Sequence, residues 1–472
     1  MSSSLAHDEL NEFGYSQKFL RTIKSFDSFA VAFSFISITT GIFTTFGYLL
    51  TTGGPRGLWT WPIVIVGQYF VAMIYGALSS RIPLAGYSYQ WGTRLVGWRT
   101  GWWLGWISMC FLFIVVVSVD YAFIQVAFQP LIGQAYSPMS VAVETAITIA
   151  IQGLIIFVST KTTAKLNSAA VITEVAGIVV LVLALIIGAA VKHHGHASNI
   201  FSTGTVSGAG YWKWLGPFML STLLGAYTIV GFEAASNLAE ETDNARKVIG
   251  SSMKRAVALS GIMGMILLLG ASYAISDMTA TSKSASPIAF LVEQNLGTVA
   301  SKILLFVVCI SIFACGMVNL MTNTRLIYAM GRDGRLPGHR SLSQAPKPTG
   351  GPSWATAAAS LVPIIIVLAL SKSTNALTTL FSAATIMPAL SYLGTVLLFI
   401  RVRKRMGVSG HGDERKSWEM PVAILAVVWL LFELSCLVFP SQFRNAQYYV
   451  LGTLAVGVVF FAMATVQKNS QK

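Results

Sequence analysis

The residues of this sequence best suited to chemistry are acidic side chains inside long apolar segments. Glu233 follows Gly231 in the segment AYTIVGFEAAS at 226–236, and Glu174 lies in a separate apolar stretch. A charged side chain at the centre of a bilayer costs roughly 2.5–3.5 kcal/mol on insertion scales, so such a residue is a functional candidate by default. It can attract an ammonium group or carry a proton. We therefore predict that Glu233 and Glu174 take part in binding or coupling.

Each of these carboxylates also has a purely structural interpretation. Glu233 could accept hydrogen bonds from an unwound helical turn without binding a ligand. Glu174 could pair with a polar group on another helix. Burial disfavours the charged form of a carboxyl group and so raises its pKa. Exchange of a proton near neutral pH is therefore as good an interpretation of Glu174 as pairing. The sequence leaves both interpretations open.

The elements that carry these residues are apolar segments long enough to cross a membrane. Hydrophobic residues make up 54% of the 472 residues and charged residues 11%, whereas soluble domains carry roughly 25% charged residues. A helix of about 20 apolar residues spans the hydrocarbon core. The sequence predicts about twelve such helices. They lie at 27–50, 58–80, 101–128, 140–160, 168–191, 214–238, 255–276, 301–329, 354–371, 376–400, 418–439 and 447–466.

Two of these predicted spans are interrupted by glycine and small polar residues. The interruptions are SITTGIFTTFG at 37–47 in the first span and residues 226–236 in the sixth. Paired breaks in corresponding spans of two halves indicate a transporter built from inverted repeats, with its site near mid-membrane. Alternatively, Gly41 and Gly231 could simply allow close helix packing. The consecutive residues at 39–41 and the acidic residue beside Gly231 favour the broken-helix interpretation.

The distribution of charge predicts the orientation. The formal net charge of +14 could indicate nucleic-acid binding, but the basic residues are not concentrated in one soluble region. With both termini cytoplasmic, most of the 32 Lys and Arg residues fall on the cytoplasmic side, as the positive-inside rule requires. We predict a multi-pass plasma-membrane protein with cytoplasmic tails at 1–26 and 467–472 and a transmembrane domain at 27–466. No cleavable signal peptide is predicted, because residues 1–25 are polar.

Other acidic residues are weaker candidates. Asp120, Glu144 and Glu433 lie toward the predicted outer ends of their spans. Water or the interface could reach them there, so a structural role is favoured. Glu240 and Glu241 end the sixth span and precede basic residues at 246–255. An interfacial ion-pair gate and a solvated loop would both fit this pattern.

Metal, cofactor and enzyme motifs do not account for this sequence. His193, His194 and His196 lack accompanying carboxylates or cysteines at ligand spacing, so a solvated loop is favoured over a metal site. The four cysteines lie inside predicted spans, and neither a disulfide nor a metal site is inferred. The chain has no GxxxxGK[ST] loop, nucleophile elbow, HExxH or dinucleotide motif. We predict no enzyme activity and no cofactor, with a channel as the second hypothesis after a carrier.

Four stretches together carry a family resemblance that covers nearly the whole chain. They are ISITTGIFTTFGY at 36–48, SSRIPLAGYSYQW at 79–91, GFEAASNLAEETDNA at 231–245 and TRLIYAMGRDGRLP at 324–337. The chain resembles the amino acid/polyamine/organocation superfamily and, within it, the amino acid/choline transporter family. The resemblance implies an all-α fold with a five-plus-five inverted-repeat core, two peripheral helices and alternating access.

The same resemblance implies the repeat bounds, the substrates and the orientation of the substrate. The repeats would cover about 27–191 and 214–400, with peripheral helices at 418–466. Substrates would be amino acids, 4-aminobutyrate, choline or polyamines. The substrate carboxylate would bind backbone groups at 39–41, and its ammonium would lie near Gly231 and Glu233. The predicted substrate-binding residues are Ser37, Thr39, Thr40, Gly41, Ile42, Tyr227, Gly231, Phe232, Glu233 and Asn319.

Two residues extend this picture toward gating and coupling. Tyr227 occupies the place of a gating aromatic residue in some relatives, so we expect it to close over the substrate. Certain proton-coupled relatives look similar around Asn167 but carry a lysine where this chain has Glu174. We predict that Glu174 and Glu233 couple transport to protons, with sodium left open. A choline or polyamine carrier, an amino acid exchanger and a transport-like sensor remain alternatives, and substrate, direction and oligomeric state are open.

Overall fold

The computed structural model describes residues 12–469 except 17, 345–350, 373–375 and 405–415. Most of the predicted N-terminal tail, at 1–11, and residues 470–472 of the predicted C-terminal tail therefore lie outside the described residues. Within the described part the chain is built from helices, with one isolated β-bridge between Ile23 and Thr242. This architecture confirms the predicted all-α membrane fold.

Ten helices in the described residues are long and apolar enough to cross a membrane. Their bounds are Ser25–Thr52, Pro55–Arg81, Trp98–Ile132, Pro138–Val158, Thr162–Val191, Ala245–Tyr273, Thr298–Arg332, Thr378–Val402, Glu419–Val438 and Ser441–Val466. The shorter apolar helix Ser353–Ala369 forms the ninth predicted span. The sixth is divided into short helices at Pro217–Leu220, Thr222–Thr228 and Ala234–Asn237. Together these helices account for the twelve predicted spans, which are numbered below in chain order.

The packing of the spans reflects two repeats. The first span packs on the sixth, the second on the seventh, the third on the eighth and the fourth on the ninth. Each of these pairs joins a helix to the helix five spans later, as expected when two five-helix units are related by an axis through the centre of the bundle. Spans eleven and twelve both pack on the tenth span, at the periphery. The breaks in the first and sixth spans consequently lie side by side.

Two acidic residues that were expected to be accessible to water are fully buried. The Asp120 carboxylate accepts a hydrogen bond from Gln152 Nε2 at 2.8 Å, and the Glu433 carboxylate accepts one from Gln68 Nε2 at 3.2 Å. Both side chains have 0% exposure. The prediction of water access was wrong for these two residues, because each is paired with an amide on a neighbouring span. Glu144 is half-buried.

Candidate functional site

The first span breaks at Ser37. The helix Ser25–Ile36 ends there, Ser37 adopts a positive φ of 38°, and a second helix runs over Ile38–Thr52. The Ser37 hydroxyl accepts a hydrogen bond from the Thr40 amide at 3.3 Å and caps the second helix. A helix N-terminus presents free amides and a partial positive charge. The break therefore places an anion-attracting helix end inside the bundle. It lies at Ser37, two residues before Thr39, and residues 39–41, where the sequence predicted the break, form the first turn of the second helix.

Glu174 reaches this helix end from the fifth span. Its Oε1 accepts hydrogen bonds from the Thr39 amide at 3.0 Å and from Ser37 Oγ at 3.1 Å. The Glu174 side chain is buried, with 2% exposure. A carboxylate at a helix N-terminus is stabilised by the helix dipole and by charge-assisted hydrogen bonds. The structure thus places the predicted coupling residue directly on the backbone predicted to bind a substrate carboxylate.

The amides of residues 39–41 all have acceptors within the protein in this conformation. Thr39 donates to Glu174, Thr40 donates to the Ser37 hydroxyl, and Gly41 donates to the Ser37 carbonyl at 2.9 Å. A substrate carboxylate could bind the Thr39 amide only by displacing Glu174. The helix end thus has one anion-binding position and two candidate occupants.

The sixth span breaks between Thr228 and Ala234. Gly231 adopts φ 81° in this break, and a Cβ atom added to it would overlap the ring of Phe35 in the first span. A Cβ added to Gly41 would likewise overlap Thr228. Only glycine fits at these two contacts, since the broken spans touch there. Gly231 therefore lies in a break and also allows close packing, whereas Gly41 lies inside the helix Ile38–Thr52 and serves close packing alone.

Tyr392 of the tenth span bridges the break in the sixth. Its hydroxyl accepts a hydrogen bond from the Gly231 amide at 2.9 Å and donates one to Glu233 Oε2 at 2.6 Å. Its ring stacks on Phe232 at 5.3 Å between centroids and meets Tyr75 edge-on at the same distance. Sequence analysis missed Tyr392. The polar pair at 391–392 is a weak signal for it, because the same span also contains Thr378, Thr379, Ser382, Thr385 and Thr395.

The remaining predicted residues lie near the breaks but outside these two clusters. Tyr227 is buried; its hydroxyl shares a hydrogen bond with Ser118 Oγ at 2.8 Å, and its ring packs on Phe381 at 4.6 Å. Asn319 lies one turn after Cys315, whose thiol donates to the Phe35 carbonyl at 3.4 Å. Ile42 is fully buried in the second helix of the first span. The predicted roles of these residues stay predictions.

Several buried amide side chains of the fifth and eighth spans, which pack on each other, have unused hydrogen-bonding capacity. The side-chain oxygens of Asn167, Asn319 and Asn323 have no hydrogen-bond partner among the residues that the structure describes. Buried polar groups in proteins are normally bonded to protein or water. This unused capacity suits water molecules or a polar solute moving between these spans.

A small cavity adjoins Glu174. It has a volume of about 10 Å³ and is lined by residues that include Thr39, Phe43, Gly177 and Val308. A space of this size holds about one water molecule. The cavity beside the carboxylate consequently has room for one water molecule but not for a substrate.

Ion pairs close one end of the bundle, called here the inner end, where the second span ends and the seventh begins. Arg325 Nε lies 2.7 Å from Glu241 Oε1, and Arg332 Nη1 lies 3.0 Å from Glu240 Oε2. Both arginines come from the eighth span, not from the basic residues that follow the sixth span in sequence. This geometry favours the ion-pair gate over a solvated loop.

The N-terminal segment crosses the same end. The Ile23 amide donates to the Glu241 carbonyl at 3.0 Å, and the Phe19 ring meets Tyr328 edge-on at 5.3 Å. Tyr15 donates to Asp333 at 2.8 Å. Burial and the neighbouring Asp333 carboxylate raise the pKa of Tyr15, so the phenol remains a hydrogen-bond donor at neutral pH. The segment therefore seals the inner end over the ion pairs.

Comparisons with known proteins agree with this architecture. The family model described as "Amino acid permease" matches residues 23–461. The chain is 28% identical over 455 residues to amino-acid permease BAT1 of Arabidopsis thaliana, covering 89% of this chain and 86% of that protein. It is 26% identical over 357 residues to a BAT1 homolog of Oryza sativa subsp. japonica, covering 70% and 68%. An uncharacterized amino-acid permease of Schizosaccharomyces pombe is 25% identical over 446 residues, covering 92% and 80%.

Proposed function

The chain belongs to the amino acid permease family, and we propose that it is a proton-coupled secondary transporter. Its homologues are permeases, which indicates a transporter and not an enzyme. The proposed substrate is an imported amino acid or a related amine such as 4-aminobutyrate. The observation that carries this proposal is the bond between the Glu174 carboxylate and the Thr39 amide at the break of the first span. Both partners are buried at the end of a broken helix. A titratable group therefore occupies the position that a substrate carboxylate would take.

Competition for this position couples the proton to the substrate. Hydrogen bonds to an ionised acceptor are roughly twice as strong as those to a neutral one. Protonation of Glu174 consequently weakens its bond to the Thr39 amide and frees the helix end for the substrate carboxylate. Loss of the proton returns Glu174 to the amide and expels the substrate. Proton and substrate thus bind together and leave together.

The ammonium group of the substrate binds at the other break. Residues 229–233 leave the helical path. The Gly231 and Glu233 carbonyls accept hydrogen bonds from the Ala234 and Ser236 amides, which leaves the carbonyl groups of Ile229, Val230 and Phe232 for the ammonium. Glu233 adds a carboxylate that Tyr392 holds beside Gly231. An α-amino acid has its carboxylate and ammonium on one carbon, whereas 4-aminobutyrate has a longer spacing. The separation of the two breaks selects between them.

Release to the cytoplasm requires the inner end to open. The positive-inside distribution supports a cytoplasmic position for both termini and the inner end, and the plasma membrane is the proposed location. The ion pairs of Arg325 and Arg332 must then break, and the N-terminal segment must move aside. The unpaired amides of Asn167 and Asn323 provide polar partners along the exit route.

The experiment that tests the proposed function is uptake of labelled 4-aminobutyrate into proteoliposomes under an inward pH gradient. Unlabelled amino acids, choline and polyamines are added as competitors. We expect saturable uptake that amino acids or 4-aminobutyrate compete for, and that a proton ionophore abolishes. Because a 4-aminobutyrate signal can be absent for an α-amino acid carrier, labelled alanine, arginine and glutamate are tested in parallel. Uptake driven only by sodium, or competed only by choline or polyamines, would contradict the proposal.

A further inference from the structure

A cavity of about 200 Å³ lies at the inner end, between the second, seventh and eleventh spans. It is separate from the breaks and from the ion pairs of the eighth span. Gly76 and Gly250 bring the second and seventh spans into backbone contact beside it, since a Cβ on Gly250 would lie 3.0 Å from the Gly76 carbonyl. The cavity thus lies where helix ends meet the edge of the membrane.

Positive charge dominates the lining of this cavity. The basic residues that line it are Arg81, Arg246, Lys247, Lys254 and Lys416. They outnumber its acidic residue, Glu419, which already binds Arg81 at 2.7 Å and Arg403 at 3.0 Å. Within the part of the chain that the structure describes, Lys247 and Lys254 form no ion pair. Their charges are therefore available to an anion.

The seventh span, which lines the cavity, also carries exposed apolar side chains. Ile262 and Ile266 lie eight and twelve residues after Lys254 on the seventh span. They are four residues apart, so the two isoleucines share one helix face. Their side chains are 60% and 43% exposed. The apolar stripe that these two residues form, on a span that also lines the cationic cavity, suits a ligand with a charged head and a hydrocarbon tail. Trp418 also lines the cavity, and tryptophan is enriched at membrane interfaces.

We propose that this cavity binds the phosphate headgroup of an anionic phospholipid of the inner leaflet, with an acyl chain along Ile262 and Ile266. The assignment rests on the cytoplasmic orientation of the inner end proposed above. Basic pockets between transmembrane helices on the cytoplasmic side bind such headgroups. Lysines act there as compact point charges toward phosphate. A free phosphate ion would use the same charges but would not use the apolar stripe.

The test is native mass spectrometry of the delipidated full-length chain, titrated separately with dioleoyl phosphatidylglycerol, dioleoyl phosphatidylcholine and inorganic phosphate. The double variant Lys247→Gln/Lys254→Gln is compared with Lys165→Gln/Lys302→Gln, which removes the same charge from exposed lysines elsewhere. Each lysine near an anionic lipid contributes a factor of about five in affinity, so the first variant should bind phosphatidylglycerol roughly twenty-five-fold more weakly. The wild type and the second variant should bind it alike.

Several results would overturn this assignment. Equal phosphatidylglycerol binding by all three proteins would show that the lipid binds elsewhere. Equal loss of binding in both variants would show that affinity depends only on the overall charge of the protein. If the protein bound phosphate but did not prefer phosphatidylglycerol over phosphatidylcholine, the cavity would be a phosphate site and not a lipid site. The variant Lys247→Arg/Lys254→Arg keeps both charges and should retain binding, which separates loss of the site from loss of folding. Because the readout is lipid binding, it does not depend on whether transport is coupled to protons.

Discussion

Replacement of Glu174 by glutamine is expected to abolish accumulation driven by a pH gradient while substrate exchange continues. Glutamine keeps an acceptor oxygen for the Thr39 amide and Ser37 hydroxyl, so the broken helix retains its cap. It cannot bind or release a proton. A hydrogen bond to a charged group contributes about 1.5–3 kcal/mol, so losing the charge should also ease substrate entry. Accumulation and counterflow exchange are measured in the same proteoliposomes.

The control for this prediction is Glu433→Gln. Glu433 is also a fully buried carboxylate inside a span, but it binds Gln68 on the second span, away from the breaks. We expect this variant to accumulate substrate as the wild type does. If Glu174→Gln accumulated substrate as well as Glu433→Gln, Glu174 would not be the coupling group. Loss of exchange together with accumulation would assign Glu174 to binding alone.

Replacement of Glu233 by glutamine or of Tyr392 by phenylalanine should reduce transport far more than it reduces folding or membrane insertion. Glutamine at 233 removes the charge that attracts the substrate ammonium. Phenylalanine at 392 keeps the ring stacked on Phe232 but removes the hydroxyl between Gly231 and Glu233. At about 1.5–3 kcal/mol for a charged hydrogen bond, either change corresponds to roughly a ten- to hundred-fold loss of uptake at low substrate concentration.

The matched control here is Tyr448→Phe, which removes a phenol hydroxyl from a side chain that is 63% exposed on the twelfth span. Its uptake should equal that of the wild type. Surface expression and elution on size-exclusion chromatography report folding for all three variants. Normal uptake by Glu233→Gln would exclude the proposed ammonium site, and normal uptake by Tyr392→Phe would reduce Tyr392 to a packing residue.

The breaks in the first and sixth spans could be predicted from sequence because they violate a strong local rule. Glycine and small polar residues interrupt segments that are otherwise apolar, and membrane-spanning backbone leaves the helix only where other groups satisfy it. The partners that satisfy it could not be predicted. Glu174 was identified by its charge, yet its contact with Thr39 depends on the relative rotation of two spans. Tyr392 has no charge and no glycine beside it, and the polar pair at 391–392 does not stand out from the other Ser and Thr residues of its span.

Burial was the least predictable property of the acidic residues. Position along a span predicted water access for Asp120 and Glu433, but each is paired with a glutamine on a neighbouring span. A similar limit applied to the ion pairs of Glu240 and Glu241, whose partners come from the eighth span, not from adjacent sequence. These pairings are long-range contacts, and the local pattern of a single sequence contains no information about them.

Proton movement during substrate uptake tests the central claim most directly. Proteoliposomes loaded with a pH-sensitive dye are given the transported amino acid or amine at equal internal and external pH. The account predicts internal acidification that begins with substrate addition, saturates with substrate concentration and is absent in the Glu174→Gln variant. Substrate uptake by the wild-type protein without acidification would contradict proton coupling at the broken helix.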